Sequence, residues 1–114
     1  MPDTDTARLG SELLAIHKDS YGAAAASVTV HLLGDDVVVF LDGLELQRNE
    51  QYLIDKGRED LVLTIRSGYQ QSIETTFRAA VERATGRTVT AFLSSTNLNP
   101  PFAVEIFRLA PSQP

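Results

Sequence analysis

The sequence has no cysteine, few basic residues and no long hydrophobic run. Without cysteine a chain cannot form disulfides, thiolate nucleophiles or cysteine-ligated metal sites, and this fits a reducing compartment. No window approaches the roughly 18 apolar residues of a membrane span. Residues 1–8 are polar and lack the apolar stretch of a signal peptide. We therefore predict a cytoplasmic protein that does not insert directly into a membrane.

Basic residues are outnumbered by acidic ones. The 10 Lys and Arg residues stand against 15 Asp and Glu, so the net charge is −5. The basic residues are scattered, apart from pairs such as Arg83 and Arg87, which are four positions apart. Because nucleic acids and anionic lipids attract positively charged surfaces, we predict no nucleic-acid partner.

Motifs of catalysis and cofactor binding are missing as well. The chain has neither a G-x-S-x-G nucleophile elbow nor a Gly-rich phosphate loop. His17 and His31 are not spaced as a local metal pair, and we interpret both as structural residues. Asp35 and Asp36 follow a glycine between two strand-like runs, where Asp is favoured as a turn residue. The sequence therefore predicts no catalytic residue, no metal and no cofactor.

What the sequence does contain is sufficient for one folded domain. It has 114 residues, of which 43% are hydrophobic and 22% charged, values that are ordinary for a single globular domain. We place this domain at residues 6–110 and expect flexible tails at residues 1–5 and 111–114.

The apolar pattern predicts seven elements in the order α-β-β-α-α-β-β. Helices are predicted at residues 6–21, with Thr6 as the N-cap, and at 46–55 and 59–85. Strands are predicted at 27–33, 37–41, 87–94 and 102–109. This order is typical of an α+β fold in which a four-stranded antiparallel sheet packs on helices. In the longest helix, the predicted core stripe runs through Leu61, Ile65, Ser72, Ile73 and Phe77.

The first hairpin is apolar on both of its faces. Val37 and Val39 lie on one face, and Val38 and Phe40 lie on the other. One face should pack on helices, whereas the other is available to a second subunit. Because large apolar patches are seldom left exposed to water, we predict a homodimer.

Polar residues suggest an alternative, a small-molecule site. Residues 94–99, with the sequence SSTNLN, are predicted to form a loop at a strand exit. Such a loop can bind an anion through its backbone and side chains. Arg66 and Tyr69 are three positions apart and are predicted to share a helix face. The candidate ligand-binding residues are Arg66, Tyr69, Arg87, Ser94, Ser95 and Asn97. The alternative for each is structural: a strand-exit turn, or an Arg whose aliphatic stem is packed.

The order and spacing of several segments resemble the MpsC family of small bacterial proteins. The matching segments are HKDSYG at 17–22, VVVFLDG at 37–43, LQRNEQYL at 46–53, Arg66 with Tyr69 and Gln70, VERATGRTV at 81–89, and FRL at 107–109. The resemblance extends from residue 9 to residue 109. It implies an association with a membrane-potential-generating ion-transport system and with bicarbonate or cation uptake. It implies no catalytic residues.

This chain departs from the family pattern at two places. Where the family usually has Leu-Thr-Pro-x-Glu, the chain has LQRNE at 46–50, and Gln47 is expected to be a weaker helix cap than Thr. Ser95 and Thr96 stand where relatives often have an acidic residue after the third strand. Our principal hypothesis is a non-catalytic accessory or regulatory domain that acts by protein–protein contact, with a membrane transporter as partner. The alternative is an anion-binding or enzymatic domain with a polar site near Ser94–Asn99 and Arg66.

Overall fold

The computed structural model describes residues 4–22 and 24–111, and its elements occur in the predicted order. The helices are α1 (Thr6–Tyr21), α2 (Arg48–Asp55) and α3 (Glu59–Thr85). The strands are β1 (Ala25–Leu33), β2 (Asp36–Leu44), β3 (Val89–Leu98) and β4 (Pro101–Leu109). Of the predicted tails, only Thr4, Asp5 and Pro111 belong to the described residues.

The four strands form one antiparallel sheet in the order β1-β2-β4-β3. This confirms the predicted α+β fold. Gly34 and Asp35 form the tight turn between β1 and β2, and Gly34 has a φ of 60°, which a residue with a side chain rarely adopts. Helix α1 packs on β1 and on α3, α3 packs on β3, and α2 packs on α3. The helices therefore cover one face of the sheet, which we call the inner face. The opposite face is not covered by these helices, and we call it the outer sheet face.

Side-chain carboxylates that accept backbone N–H groups explain where the first two helices begin. The predicted N-cap Thr6 is wrong by one position, because the Asp5 carboxylate accepts the Arg8 N–H at 3.0 Å. Helix α2 begins two positions later than predicted. At its start the Glu50 carboxylate accepts the Gln47 N–H at 2.9 Å, so an acidic side chain from within the helix satisfies this end.

The hydrophobic core lies between the helices and the inner face. As predicted for the hairpin, Val37 and Val39 are fully buried on this face. Three aromatic rings lie at the centre, those of Phe77, Phe92 and Phe107, with centroids 5.0 to 6.5 Å apart. Such offset and edge-on ring pairs add about 0.5–1.5 kcal/mol each beyond their buried area.

The predicted core stripe is wrong in the first half of α3. Leu61 and Ile65 are 36% and 45% exposed, whereas Val62, Arg66 and Gln70 are buried. Burial of the two polar residues is possible because both have polar partners inside the fold, as described below. Ser72 is exposed as well. From Ile73 onward the stripe is buried as predicted, through Phe77, Ala80 and Val81, and it ends at the half-buried Ala84.

The predicted polar loop at residues 94–99 is also wrong. Strand β3 continues to Leu98 and pairs with β4, so that Ser94 lies opposite Glu105 and Thr96 opposite Ala103. Since side chains alternate along a strand, the polar residues of this segment are divided between the two faces of the sheet.

Candidate functional site

Arg66 is enclosed by the fold. Its side chain is 2% exposed and donates from Nε and Nη2 to the Glu50 carboxylate, at 2.7 and 2.8 Å. Nη2 also lies 3.3 Å from the carbonyl oxygen of Glu45. Tyr69, predicted to share a face with Arg66, is 45% exposed. These two candidates therefore lie on different sides of α3, and the guanidinium is committed to the protein itself.

The other predicted ligand-binding residues are dispersed. Arg87 donates to the Ala110 carbonyl oxygen at 2.6 Å and to the Asp35 carboxylate at 2.7 Å. These two bonds link the residue that follows β4 to the β1–β2 turn. Asn97 donates to the Pro100 carbonyl oxygen at 2.8 Å. Ser95 and Asn97 are exposed on the outer sheet face, whereas Ser94 is on the inner face opposite Glu105. The structure does not bring the six candidates into one pocket.

A set of buried polar side chains lies at the interface of helices and sheet, and the sequence did not indicate it. We call it the buried polar layer: His17, Glu50, Arg66, Gln70 and Glu105. The Glu50–Arg66 pair joins α2 to α3, and Gln70 donates to Thr96 Oγ1 at 2.8 Å, which joins α3 to β3. Burial opposes ionisation of Glu50, but the hydrogen bonds from Arg66 and from the Gln47 N–H outweigh it and lower its pKa.

His17 belongs to the same layer and is 3% exposed. Burial, and then the nearby positive charge of Arg66, lower the pKa of His17 to about 4. The imidazole is therefore neutral at pH 7, and it contributes to the interior as an uncharged polar group.

Unlike Glu50 and Arg66, Glu105 has no ionic partner among the described residues. It lies on the central strand β4, between Val39 and Ser94 on the neighbouring strands, and is 1% exposed. Within the described part of the chain, neither carboxyl oxygen forms a hydrogen bond, and the adjacent Ser94 hydroxyl forms none. Burial raises the pKa of Glu105 to about 8, and the neighbouring Ser94 hydroxyl opposes this rise. At neutral pH the group is mostly a carboxylic acid.

The outer sheet face has an apolar centre and a polar rim. Its centre consists of Val38, Phe40, Leu93, Phe102, Val104 and Ile106, which the strand register places side by side. Leu93 is the most prominent and is 66% exposed. Thr29 and His31 lie at the β1 edge, and Ser95 and Asn97 at the β3 edge. This arrangement is typical of protein–protein interfaces, and an uncovered apolar patch of this kind is seldom left to water.

The Asp36–Arg108 ion pair closes one end of this face, with 2.7 Å between Nε and Oδ1. Hydrogen bonding to Arg108 lowers the pKa of Asp36, so the two charges neutralise each other on the surface. The apolar centre is thus bordered by neutral polar groups, by this matched pair of charges and, towards the other end of β2, by the exposed side chain of Asp42.

Residues 4–22 and 24–111 contain no group of three His, Asp or Glu side chains that could hold a metal ion. None of the helices in that part of the chain has the length and hydropathy of a membrane span.

The model of one protein family matches nearly the whole chain. The family is described as "Na+-translocating membrane potential-generating system (MpsC)", and the match covers residues 6–111. No curated protein and no solved structure matches the chain.

Proposed function

Because the chain belongs to the MpsC family, we propose that it is a non-catalytic accessory or regulatory domain that acts by protein–protein contact. The observation that carries this proposal is the outer sheet face, with its apolar centre and polar rim. We assign that face to a second copy of the chain, which makes the working form a cytoplasmic homodimer. The dimer would serve a membrane transporter for a cation, in keeping with the Na+-translocating system that the family description names, or for bicarbonate.

A second copy suits the outer sheet face for two physical reasons. Two twisted sheets can pack face to face with their strands roughly 30° apart and their side chains interdigitated. A two-fold interface brings identical patches together, so an unmatched charge at its centre would meet its own copy. Here the centre is uncharged, and the charge of Arg108 is neutralised by Asp36. The enclosed position of Arg66 favours this reading over an anion site.

The oligomeric state tests the assignment. We expect light scattering at tens of micromolar to show a dimer for the wild-type chain and a monomer for Leu93→Arg. The matched control is Leu32→Arg, since Leu32 is also an exposed β-strand leucine, at 45%, but lies on the inner side at the β1 edge. A wild-type monomer, or a dimer that survives Leu93→Arg, would overturn the assignment of this face.

The accessory role needs a separate test. The tagged wild-type chain should co-purify with an integral-membrane cation or bicarbonate transporter from its own host. If no transporter is recovered with the wild-type chain, the accessory role is wrong, whatever the oligomeric state. If a transporter is recovered equally with Leu93→Arg, the role stands and the transporter contacts a surface other than the outer sheet face.

A further inference from the structure

Glu105 lies in a position where an ionised carboxylate has nothing to balance it. It is 1% exposed on a central strand, and neither of its oxygens has a hydrogen-bond partner among the described residues. An isolated buried charge is so unfavourable that the group takes up a proton or leaves the interior. The adjacent Ser94 hydroxyl likewise forms no hydrogen bond among the described residues.

The groups that face Glu105 from each neighbouring element do not supply a counter-charge. Val39 lies beside it on β2 and Ser94 on β3. The titratable side chains that the helices bury are His17 of α1, Glu50 of α2 and Arg66 of α3. Arg66 is paired with Glu50. Burial raises the pKa of Glu105, and the neighbouring Ser94 hydroxyl opposes this rise. Stabilisation of the ionised Glu105 would therefore depend on the Ser94 hydroxyl.

We propose that Glu105 is a proton-binding site that keeps the helices closed on the sheet, and that loss of its proton opens the domain. When the carboxylic O–H bond breaks, the proton passes to water and the carboxylate keeps the electron pair. The carboxylate then requires hydration, so either water enters between α3 and the inner face or the side chain moves out between them. The opening is reversible, because reprotonation restores the uncharged acid.

The consequences extend to the outer sheet face through β4. Val104 and Ile106 flank Glu105 in the sequence and point to the opposite side of the strand. Any loosening of β4 at Glu105 therefore disturbs the centre of the outer sheet face. This second effect depends on the proposed dimer, whereas the proton site itself does not.

The test of the proton site is the pH dependence of unfolding in the full chain. Because the folded domain holds the proton up to about pH 8 and an ordinary Glu releases it near 4.5, Glu105 should contribute a rise in the unfolding equilibrium constant of up to tenfold per pH unit between these values. This rise is best measured above pH 6.5, where the opposite contribution of His17 no longer changes with pH. Glu105→Gln keeps the side chain uncharged and should remove this rise. Glu45→Gln is the matched control, since Glu45 is exposed, and it should behave as wild type. Equal pH dependence in Glu105→Gln and wild type would overturn the proposal.

A second measurement does not require a variant that folds. Carbon-13 NMR of the wild-type side-chain carboxyls should show one Glu that titrates near pH 8, in sodium and in potassium chloride alike. Amide exchange of β3 and β4 should accelerate through the same pH range. A midpoint near the ordinary value for all glutamates would contradict the proposal. A midpoint that moves with the identity of the metal cation would also overturn it, in favour of a cation site at Glu105.

Discussion

Arg66 and Glu50 form a buried two-point ion pair, in which Nε lies 2.7 Å from Oε2 and Nη2 lies 2.8 Å from Oε1. The same carboxylate accepts the Gln47 N–H at the start of α2. Glu50 therefore satisfies a helix end and a buried cation together. The pair fixes α2 against α3.

Removal of one partner of the Glu50–Arg66 pair should lower the free energy of unfolding far more than removal of both partners. Arg66→Met leaves the Glu50 carboxylate buried without its cation, and we expect the free energy of unfolding to fall by roughly 3–5 kcal/mol. The double variant Arg66→Met/Glu50→Leu should recover most of this loss, apart from about 1 kcal/mol for the lost cap. Urea unfolding at neutral pH measures both.

Arg58→Met is the control for this pair. Arg58 and Asp60 form an ion pair on the surface, with 3.2 Å between Nε and Oδ1, and its loss should leave stability almost unchanged because water screens exposed charges. If Arg66→Met were as mild as Arg58→Met, the buried pair would not be holding α2 on α3.

Gln70 and Thr96 link α3 to β3 by a single hydrogen bond of 2.8 Å. Gln70→Leu should lower the free energy of unfolding by about 1–2 kcal/mol, because the half-buried Thr96 hydroxyl loses its donor. Gln70→Leu/Thr96→Val should be closer to wild type, since neither polar group then remains. Additive losses in the double variant, measured by urea unfolding, would mean that the two side chains act independently.

The sequence predicted a residue's position correctly where local patterns in the chain determine it. It missed contacts between residues that are far apart in the sequence. Val37, Val39 and Phe77 were placed correctly because alternation and helical spacing are local patterns. The ion pair of Arg66 was not predicted, because its partner Glu50 lies 16 positions earlier and meets it only after folding. Leu61 and Ile65 then appeared to be core residues, because periodicity cannot recognise a polar residue that is satisfied inside the fold.

Glu105 could have been found from the sequence with a local signal. It alternates with apolar neighbours in a strand, and Ala103 and Phe107 share its face and are buried. An acid between two core positions predicts either a partner or a raised pKa. The outer sheet face was predictable for β2 alone, since its apolar residues on β3 and β4 are adjacent only through the observed strand order.

Gly43 is required by a close contact as well as by its backbone angle. Its φ is 61°, and a Cβ at this position would lie 2.7 Å from the Cβ of Ala26 on the neighbouring strand. Gly57 has a similar φ of 74° but open space around the corresponding position. Thermal unfolding of Gly43→Ala and Gly57→Ala therefore separates the effect of backbone strain from that of the steric clash with Ala26. We expect Gly57→Ala to cost about 1 kcal/mol and Gly43→Ala clearly more. Equal losses of stability in the two variants would show that β1 shifts to accommodate the extra methyl group.

The neutral state of His17 should make the domain sensitive to acid. Burial and Arg66 lower its pKa from 6.5 to about 4, so the folded chain binds this proton less readily than the unfolded chain. The resulting stability is fully present above pH 6.5 and is lost as the pH falls towards 4, with a total of roughly 3 kcal/mol. Glu105, whose pKa is raised, has the opposite sign and loses stability as the pH rises from 4.5 to about 8.

His17→Gln isolates the histidine contribution. Urea unfolding near pH 7 and near pH 4 should show a smaller acid loss for this variant than for wild type, because Gln cannot be protonated in this range. The contribution of Glu105 is common to both proteins and cancels in the difference. His31→Gln is the control, since His31 is exposed at the β1 edge and should leave the acid loss unchanged. If His17→Gln and His31→Gln gave the same acid loss as wild type, His17 would have to titrate near its ordinary value, and the interior around Arg66 would have to admit water.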